Sequence, residues 1–266
     1  MIEPNDFEVT PTETPRLSPS VASILLRRSP LHAWHYHRLL GGVRREPTAS
    51  MENGTLLHHL VLVGGDSDKL AIIDAENFRT KAAQELRDAA RAAGKTPIIA
   101  SQHAAATNAA AVIRKRIDLF GIPINEWEAE RKMTWGSSGV ACSGILDATT
   151  KTCVYELKST DDAHPRNCRR SIEMYDYHVQ AAAYREATGL PVVFLFAESD
   201  APNDVTMIDD IAELAEIGER RWNRAKAIWK RCLETGDWPG AGGGRPVRVE
   251  ASTYALSEDN EAAQNE

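Results

Sequence analysis

The sequence predicts an α/β fold in which a mixed central β-sheet is flanked by helices and preceded by a helical N-terminal layer. Three observations lead to this prediction. Helical patterns dominate residues 17–120, short apolar strands separated by turns follow from about 125 to 158, and helix, strand and helix then alternate to about 235. Helices followed by a β-meander and then by α, β and α segments are typical of a sheet with helices on its faces.

The helices of the N-terminal part are marked by capping residues at their starts and by glycines at their ends. Ser18 and Pro19 suit the cap and first turn of one helix, and Ser29-Pro30 suit those of a second. A third helix is expected to begin at Asn53 and to end at Gly64-Gly65. The predicted elements of this part are helices from 18, from 29, at 53–63, 80–93 and 101–119, and strands at 71–74 and 97–100.

The strands of the C-terminal part are predicted from apolar runs separated by turn residues. Gly136-Ser-Ser-Gly139 forms the turn between the first two strands. The run at 191–197 is almost wholly apolar and is predicted to be a strand. The predicted elements of this part are strands at 125–135, 139–148, 152–158, 191–197 and 205–208, and helices at 177–188 and 209–235.

One domain between two tails is the predicted organisation of the 266 residues. Residues 1–16 are rich in Pro, Thr and Glu and are predicted to be disordered, and the acidic segment 239–266 is predicted to be flexible. The domain covers 17–238, with a mainly helical part at 17–120 and the sheet at 121–238. Because no apolar run could span a bilayer and the acidic N-terminus is unlike a signal peptide, we expect a cytoplasmic protein with no membrane partner.

The formal net charge of −7 is unusual for a protein that binds nucleic acid through charge alone. Acidic residues are concentrated in both tails, whereas the basic residues form clusters inside the chain, and a local groove for DNA needs only local positive charge. Solvated helix faces are the alternative interpretation of each cluster. The clusters are Arg27-Arg28, Arg44-Arg45, Arg114-Lys115-Arg116, Arg166 with Arg169-Arg170, and Arg220-Arg221 with Arg224.

The four cysteines are expected to be reduced and structural. They are scattered without a Cys-x-x-Cys pair, which disfavours zinc or iron–sulfur ligation, and a disulfide framework is unusual in a chain without a secretion signal. Two of them fall on predicted core strands, where a reduced cysteine behaves as a small apolar residue. The cysteines are Cys142, Cys153, Cys168 and Cys232.

The most informative segments are Gly144-Ile-Leu-Asp147 and Glu156-Leu-Lys158. On a strand, side chains alternate, so Glu156 and Lys158 share one face. Asp147 ends the preceding strand and can meet them across the hairpin. Hard divalent metals prefer carboxylate oxygens, and phosphodiester hydrolysis uses such metals together with a charge that steers a water. The pattern therefore predicts the chemistry of a nuclease.

An ordered set of four motifs then resembles the PD-(D/E)XK nuclease superfamily. Within it, the set is most similar to the RecE-type (exodeoxyribonuclease VIII) and lambda-type recombination exonucleases, over about residues 17–235. The residue before Asp147 is Leu146 instead of Pro, at a position that varies in the superfamily. The motifs are Gly54-Thr-Leu-Leu-His58, Gly144-Ile-Leu-Asp147, Glu156-Leu-Lys158-Ser159-Thr160 and Gln180-Ala-Ala-Ala-Tyr184.

The resemblance implies roles for the residues around the predicted metal site. Asp147, Glu156, His58 and the carbonyl of Leu157 would be metal ligands. Lys158 would orient or help to deprotonate the attacking water and would stabilise the developing charge. The alternatives are ordinary surface carboxylates, a salt bridge that uses up Lys158, and a structural histidine on the helix.

A further acidic ligand is implied on the strand that precedes the Gly-x-x-Asp motif. Glu130 fits that position best, and Glu128 is the alternative, since both alternate on one face of the predicted strand. Neighbouring helical residues point about 100° apart, so only one of two adjacent histidines can face the site. The motif selects His58, and His59 is expected to be structural.

Residues expected to touch DNA or to brace the site lie on two helices. Gln180 and Tyr184 are four residues apart on one helical face and match the Gln-x-x-x-Tyr motif, although Tyr184 also fits a half-buried structural tyrosine. By resemblance, either Arg27 or Arg28 would receive a terminal 5′-phosphate, and the sequence leaves that choice open. Trp34 could stack on a base, or it could be a core residue.

The resemblance implies a Mg²⁺-dependent exodeoxyribonuclease that degrades one strand of linear duplex DNA from a 5′ end. It would leave 3′ single-stranded tails for homologous recombination or single-strand annealing. Two Mg²⁺ ions, or Mn²⁺ instead, a trimeric or tetrameric ring, double-stranded DNA ends and a single-strand annealing protein are the implied cofactors and partners, in the cytoplasm of a bacterial or phage-infected cell. The alternatives are an endonuclease of repair or restriction type, a non-catalytic DNA-end-binding protein and an iron–sulfur nuclease.

Overall fold

The computed structural model of the protein describes residues 14–42, 49–65, 68–209, 211–243 and 245–251, with the backbone alone described at 49–53. The α-helices are α1 (Pro19–Arg27), α2 (Pro30–Tyr36), α3 (Ala49–Val63), α4 (Lys81–Ala92), α5 (Ala100–Leu119), α6 (Pro165–Met174), α7 (Tyr177–Thr188) and α8 (Ala212–Thr235). The strands are β1 (Leu70–Ile73), β2 (Thr96–Ile99), β3 (Glu128–Ser137), β4 (Val140–Thr149), β5 (Val154–Thr160), β6 (Val192–Glu198) and β7 (Val205–Ile208), and Ile124–Glu126 form a 3₁₀ helix.

A five-stranded mixed sheet with the order β3-β4-β5-β6-β7 forms the centre of the fold. β5 and β6 are parallel, and the other neighbours are antiparallel. Parallel neighbours require a crossover, and α6 and α7 provide it here. The predicted fold class is therefore confirmed.

Helices cover both faces of this sheet. On one face α3 and α5 pack against β5 and β6, with Leu60, Ile113, Leu157 and Leu195 in the shared core. A small parallel sheet of β1 and β2 lies beside these helices. On the other face, α6 and α7 pack on β6, and α1 and α8 pack on α7.

The helix boundaries follow from local chemistry, with two corrections to the sequence prediction. Ser18 and Ser29 cap α1 and α2 by accepting a backbone N–H, as expected. The third predicted helix begins at Ala49, four residues before Asn53. No helix was predicted at Pro165–Met174, where α6 buries only Cys168 and Ile172 and is otherwise polar.

All four cysteines are buried and free of disulfides, and burial of Cys142 and Cys153 agrees with their predicted place on core strands. Burial raises the pKa of the Cys142 and Cys168 thiols to about 11, so both are protonated thiols at neutral pH. They fill the core as small apolar side chains.

The predictions for the two tails fall largely outside the described residues. Residues 1–13 and 252–266 are not described. Between 239 and 251, the described residues contain neither helix nor strand. Among the described helices, none combines the length and the apolar character that a membrane span needs.

Candidate active site

The site lies where β4 and β5 separate. These strands pair only at Ala148 with Tyr155 and at Thr149 with Val154. At the next pair, Asp147 and Glu156, hydrogen bonds from backbone N–H groups to carboxylates take the place of the backbone–backbone hydrogen bonds between the strands. The N–H of Asp147 donates to Oε1 of Glu156 at 3.3 Å, and the N–H of Leu157 donates to Oδ2 of Asp147 at 2.9 Å.

Farther along β4, the N-terminal segment fills the space that β5 leaves. The N–H of Leu17 donates to the Ala141 carbonyl at 2.9 Å, and the N–H of Ser143 donates to the Leu17 carbonyl at 3.0 Å. Leu17 is fully buried. The opening between β4 and β5 is therefore closed at one end by backbone and lined by acidic side chains at the other.

Four predicted residues meet at this opening. Nζ of Lys158 lies 2.9 Å from Oε2 of Glu156 and 3.8 Å from Oδ2 of Asp147. Nε2 of His58, which α3 brings from one face of the sheet, lies 3.1 Å from Oδ2 of Asp147. The structure thus joins two carboxylates, one ammonium and one imidazole that are far apart in sequence.

The charges of this cluster are strongly coupled. Glu156 is 0% exposed, and burial together with the neighbouring Asp147 carboxylate raises its pKa to about 8, against the opposing effect of Lys158. Burial alone would raise the pKa of Asp147, but Lys158, His58 and the Leu157 N–H outweigh it and hold that pKa below its usual range. Burial disfavours the Lys158 ammonium, yet Glu156 and Asp147 raise its pKa above the usual value.

The composition of the cluster fits a divalent cation. Two carboxylates face one ammonium, so the cluster with both ionised carries an excess negative charge that burial makes costly. Carboxylate oxygens, a backbone carbonyl and an imidazole are suitable donors for Mg²⁺ or Mn²⁺. Over the described ranges, no group of three or more His, Cys, Asp or Glu side chains is arranged to hold a metal ion by itself. A cation here would take further ligands from water and substrate, as Mg²⁺ commonly does.

Gln180 and Tyr184 brace the cluster from α7, on the opposite face of the sheet from His58. Nε2 of Gln180 donates to Oε2 of Glu156 at 2.8 Å, and the Tyr184 hydroxyl donates to the Ile145 carbonyl at 2.8 Å. A Cβ at Gly144 would lie 2.6 Å from Cε1 of Tyr184. Glycine at that position therefore lets the tyrosine pack directly on β4.

Comparison with known families and structures places this geometry in context. A family described as a PDDEXK-like domain of unknown function (DUF3799) matches residues 26–245. The chain belongs to the DUF3799 family. No curated protein matches the sequence of this DUF3799 domain.

Solved structures that match the DUF3799 domain include two whose names contain the word exonuclease. A protein from Eubacterium rectale, named "Putative exonuclease", matches with a TM-score of 0.59 at 11% identity over 97% of this chain and 98% of that chain. A phage related exonuclease from Haemophilus somnus 129PT matches at 12% identity over 73% of this chain and 92% of that chain, with a TM-score of only 0.33. The first match supports the fold, and the second is too distant to support an argument.

Glu130 is not brought to the cluster through any described contact. The register of its neighbours places it opposite Asp147, but its backbone is left-handed, with φ of 51°. Its carboxylate binds Lys69 and lies 3.5 Å from Nδ1 of the buried His59. Burial would raise the pKa of Glu130, but Lys69 and His59 lower it. The alternative Glu128 is exposed and pairs with Arg131 at 3.7 Å.

The two predicted DNA-contacting arginines have different surroundings. Arg27 donates to the Met174 carbonyl, and its Nε lies 4.0 Å from Oδ2 of the buried Asp176. Arg28 is exposed, and its side chain makes no hydrogen bond or ion pair among the described residues. Arg27 therefore braces the turn before α7, and DNA binding by Arg27 or Arg28 stays a prediction.

A cleft of about 920 Å³ opens directly over Lys158 and Gln180. Its walls include residues that sequence reasoning missed. Tyr177, whose ring centroid lies 4.9 Å from Nζ of Lys158, is three residues before Gln180, and this helical spacing could have indicated it. The missed basic residues of the wall are Arg16, Arg38 and Lys132.

Proposed function

We propose that this DUF3799 domain is a Mg²⁺-dependent exodeoxyribonuclease of the RecE-like type. It would degrade one strand of linear duplex DNA from the 5′ end and leave a 3′ single-stranded tail. The observation that carries the proposal is the convergence of His58, Asp147, Glu156 and Lys158 where β4 and β5 separate. The PDDEXK-like family supports a nuclease, and the name of the Eubacterium rectale protein supports testing exonuclease activity first.

The proposed metal ligands are His58, Asp147, Glu156 and the Leu157 carbonyl. The backbone N–H and C=O of a strand residue point toward the same neighbouring strand. The Leu157 N–H donates to Asp147, so the Leu157 carbonyl also points toward the opening beside β4. A divalent cation bound by these residues would lower the pKa of a bound water and would polarise the phosphate. A second ion would require Glu130 to leave Lys69 and His59.

The protein's own groups have separable tasks in this proposal. The Lys158 ammonium orients the attacking water and neutralises charge that develops on the phosphate oxygens. Gln180 fixes the Glu156 carboxylate through the 2.8 Å hydrogen bond to Oε2. Tyr184 fixes β4 through the Ile145 carbonyl, which holds Asp147 at its place in the opening.

The first test is digestion of a linear duplex labelled at one end, with and without Mg²⁺ and with a 5′-phosphate or a 5′-hydroxyl. We expect Mg²⁺-dependent release of mononucleotides from the 5′-phosphorylated end and no cleavage of a covalently closed circle. Cleavage of the circle would indicate the alternative endonuclease. DNA binding without hydrolysis under all metal conditions would indicate a DNA-end-binding protein.

The Lys158→Ala variant tests the assignment of the ammonium. Loss of one such electrostatic group typically costs about 10²–10³-fold in rate, and we expect that loss here with DNA binding retained. Lys151→Ala, at an exposed turn between β4 and β5, is the matched control and should leave the rate unchanged. Unchanged hydrolysis in Lys158→Ala would remove Lys158 from the mechanism.

The biological setting in this proposal follows from the RecE-like resemblance. The substrate would be a double-stranded DNA end, and the 3′ tail would pass to a single-strand annealing protein during recombination. A ring of three or four copies would enclose the duplex. Sedimentation of the purified protein with and without linear DNA tests the ring.

A further inference from the structure

Tyr175 has an exposed aromatic ring in the wall of the cleft above the cluster. It lies between α6 and α7, and 54% of its surface is accessible. The Tyr175 hydroxyl takes part in no hydrogen bond among the described residues. An exposed aromatic face in a cleft is a suitable surface for a planar ligand.

The ring of Tyr175 continues a row of aromatic rings that begins in the core. Tyr177 stacks on the buried Phe194, with centroids 6.0 Å apart and planes at 28°. Tyr175 lies on the other end of the row, with its centroid 5.7 Å from that of Tyr177 and planes at 37°. Since Lys158 contacts the Tyr177 ring, one aromatic ring separates the exposed Tyr175 from the catalytic ammonium.

The turn that carries Tyr175 is held on both sides. Asp176 is buried and left-handed, with φ of 58°, which costs conformational energy unless the surroundings stabilise it. Its carboxylate accepts a hydrogen bond from Ser23 at 2.7 Å and pairs with Arg221 at 2.9 Å. Arg27 binds the preceding carbonyl, that of Met174. The backbone that carries the exposed ring is therefore held in place by its neighbours.

Positive charge lies in the same cleft. Arg16, Arg38 and Lys132 line it together with Tyr175 and Lys158. Basic side chains that follow a phosphate backbone, combined with an aromatic ring for base stacking, are the usual features of a single-strand binding groove. A base inside a duplex is stacked on both faces, so this ring needs an unpaired base or a terminal one.

We propose that Tyr175 stacks on the base of the nucleotide whose phosphate lies at Lys158, and that this nucleotide is unpaired when its strand is cut. The proposal rests on the nuclease function proposed above and defines the form of substrate that enters the cleft. Tyr175 is a positioning residue: it holds the nucleotide and takes no part in the chemical step. Because Tyr175 packs on Tyr177 and Tyr177 contacts Lys158, a base stacked on Tyr175 holds the phosphate of its nucleotide near the Lys158 ammonium.

Binding of a fluorescent single strand tests the stacking without any hydrolysis. The probe is a single-stranded DNA oligonucleotide containing 2-aminopurine, whose emission is quenched when the base stacks, in buffer with EDTA or with Ca²⁺. We expect quenching by wild type and Tyr175→Phe, and binding weaker by roughly 5- to 150-fold with no quenching in Tyr175→Ala. Tyr36→Ala removes a tyrosine that is 49% exposed on α2, outside the described cleft lining, and should behave as wild type.

A cycle with an abasic nucleotide tests the same contact during cleavage. Removing the base at the scissile nucleotide or making Tyr175→Ala should each raise KM, whereas the two together should do no more than either alone. Additive effects, or wild-type KM in Tyr175→Ala, would overturn the stacking. If the wild-type protein quenches the probe but cuts no DNA with Mg²⁺ or Mn²⁺, the nuclease function is refuted and the stacking is supported. If the wild-type protein neither binds nor quenches the probe, the stacking is refuted.

Discussion

At the scale of single residues, Glu156 sets the strictest requirement. A fully buried carboxylate needs a partner for each oxygen. The Asp147 N–H serves Oε1, and Lys158 and Gln180 serve Oε2. Gln180 is the neutral side chain of this set, so its amide fixes the direction of the carboxylate without changing the charge of the site.

Gln180→Ala should therefore weaken catalysis through Glu156. Residues that orient metal ligands typically contribute 10- to 100-fold in metal affinity or activity, and we expect a loss of that size in kcat/KM. The Mg²⁺ concentration that gives half-maximal activity should rise as well. Gln102→Ala, exposed on α5, is the matched control. An unchanged Mg²⁺ requirement would show that the amide does not act through Glu156.

The raised pKa of Glu156, about 8, predicts how the stability of the metal-free protein depends on pH. Between its ordinary value of 4.5 and about 8, the folded protein holds a proton that the unfolded chain has released. The stability from this group is complete below that window and is lost as pH rises through it, by at most about 1.4 kcal/mol for each pH unit. Asp147 has a lowered pKa, so its contribution is lost only in acid.

Denaturant unfolding with EDTA between pH 5.5 and 8.5 measures this dependence. Glu156→Gln keeps an amide of similar shape in the same place and cannot titrate, so its unfolding free energy should fall less steeply with pH than that of wild type. Equal slopes in the two proteins would contradict the raised pKa.

At the scale of elements, β4 and α7 meet through a contact that only glycine permits. The Tyr184 ring packs over Gly144, where an added Cβ would lie 2.6 Å from Cε1, and the Tyr184 hydroxyl binds the Ile145 carbonyl. Gly144→Ala should push α7 from β4 and destabilise the fold by about 1–3 kcal/mol, the usual effect of overpacking. Thermal and denaturant unfolding measure the loss.

Two further variants separate overpacking from a general effect of alanine on a strand. Gly136→Ala on β3 adds a Cβ with no neighbour within 4 Å and should leave stability nearly unchanged. Gly144→Ala combined with Tyr184→Ala should be less destabilised than the sum of the two single variants, because the clash is absent. Additive effects in the double variant would place the damage elsewhere.

The elements that sequence patterns predicted well are those with strong caps or apolar runs. Strand β6 and the serine-capped α1 are examples. Helix α6 was missed because its segment is mostly polar and has an apolar contact only through Cys168 and Ile172. The sequence also did not predict the opening between β4 and β5. The apolar pattern of two neighbouring strands is the same whether they stay paired along their length or separate after two pairs.

At the scale of the whole molecule, the site exists because two layers of helices and one sheet meet at the same opening. His58 comes from α3 on one face, Gln180 from α7 on the other, and Asp147 and Glu156 from neighbouring strands. Motif order predicted these participants. It could not place the Glu130 carboxylate, because a left-handed backbone at that residue turns it toward Lys69 and His59.

The excess negative charge that this meeting point carries when both carboxylates are ionised predicts that divalent cations stabilise the whole fold. A cation that binds the folded state alone raises the free energy of unfolding by RT ln(1 + [L]/Kd), about 2.7 kcal/mol at a hundredfold excess over Kd. Titration of Mg²⁺ or Mn²⁺ during thermal unfolding at constant ionic strength should show this rise in wild type and its loss in Asp147→Asn. Asp118→Asn, exposed at the end of α5, is the matched control. The Asp147→Asn substitution removes the carboxylate that His58, Lys158 and the Leu157 N–H all contact. The same rise in unfolding free energy in Asp147→Asn would therefore show that the cation binds elsewhere.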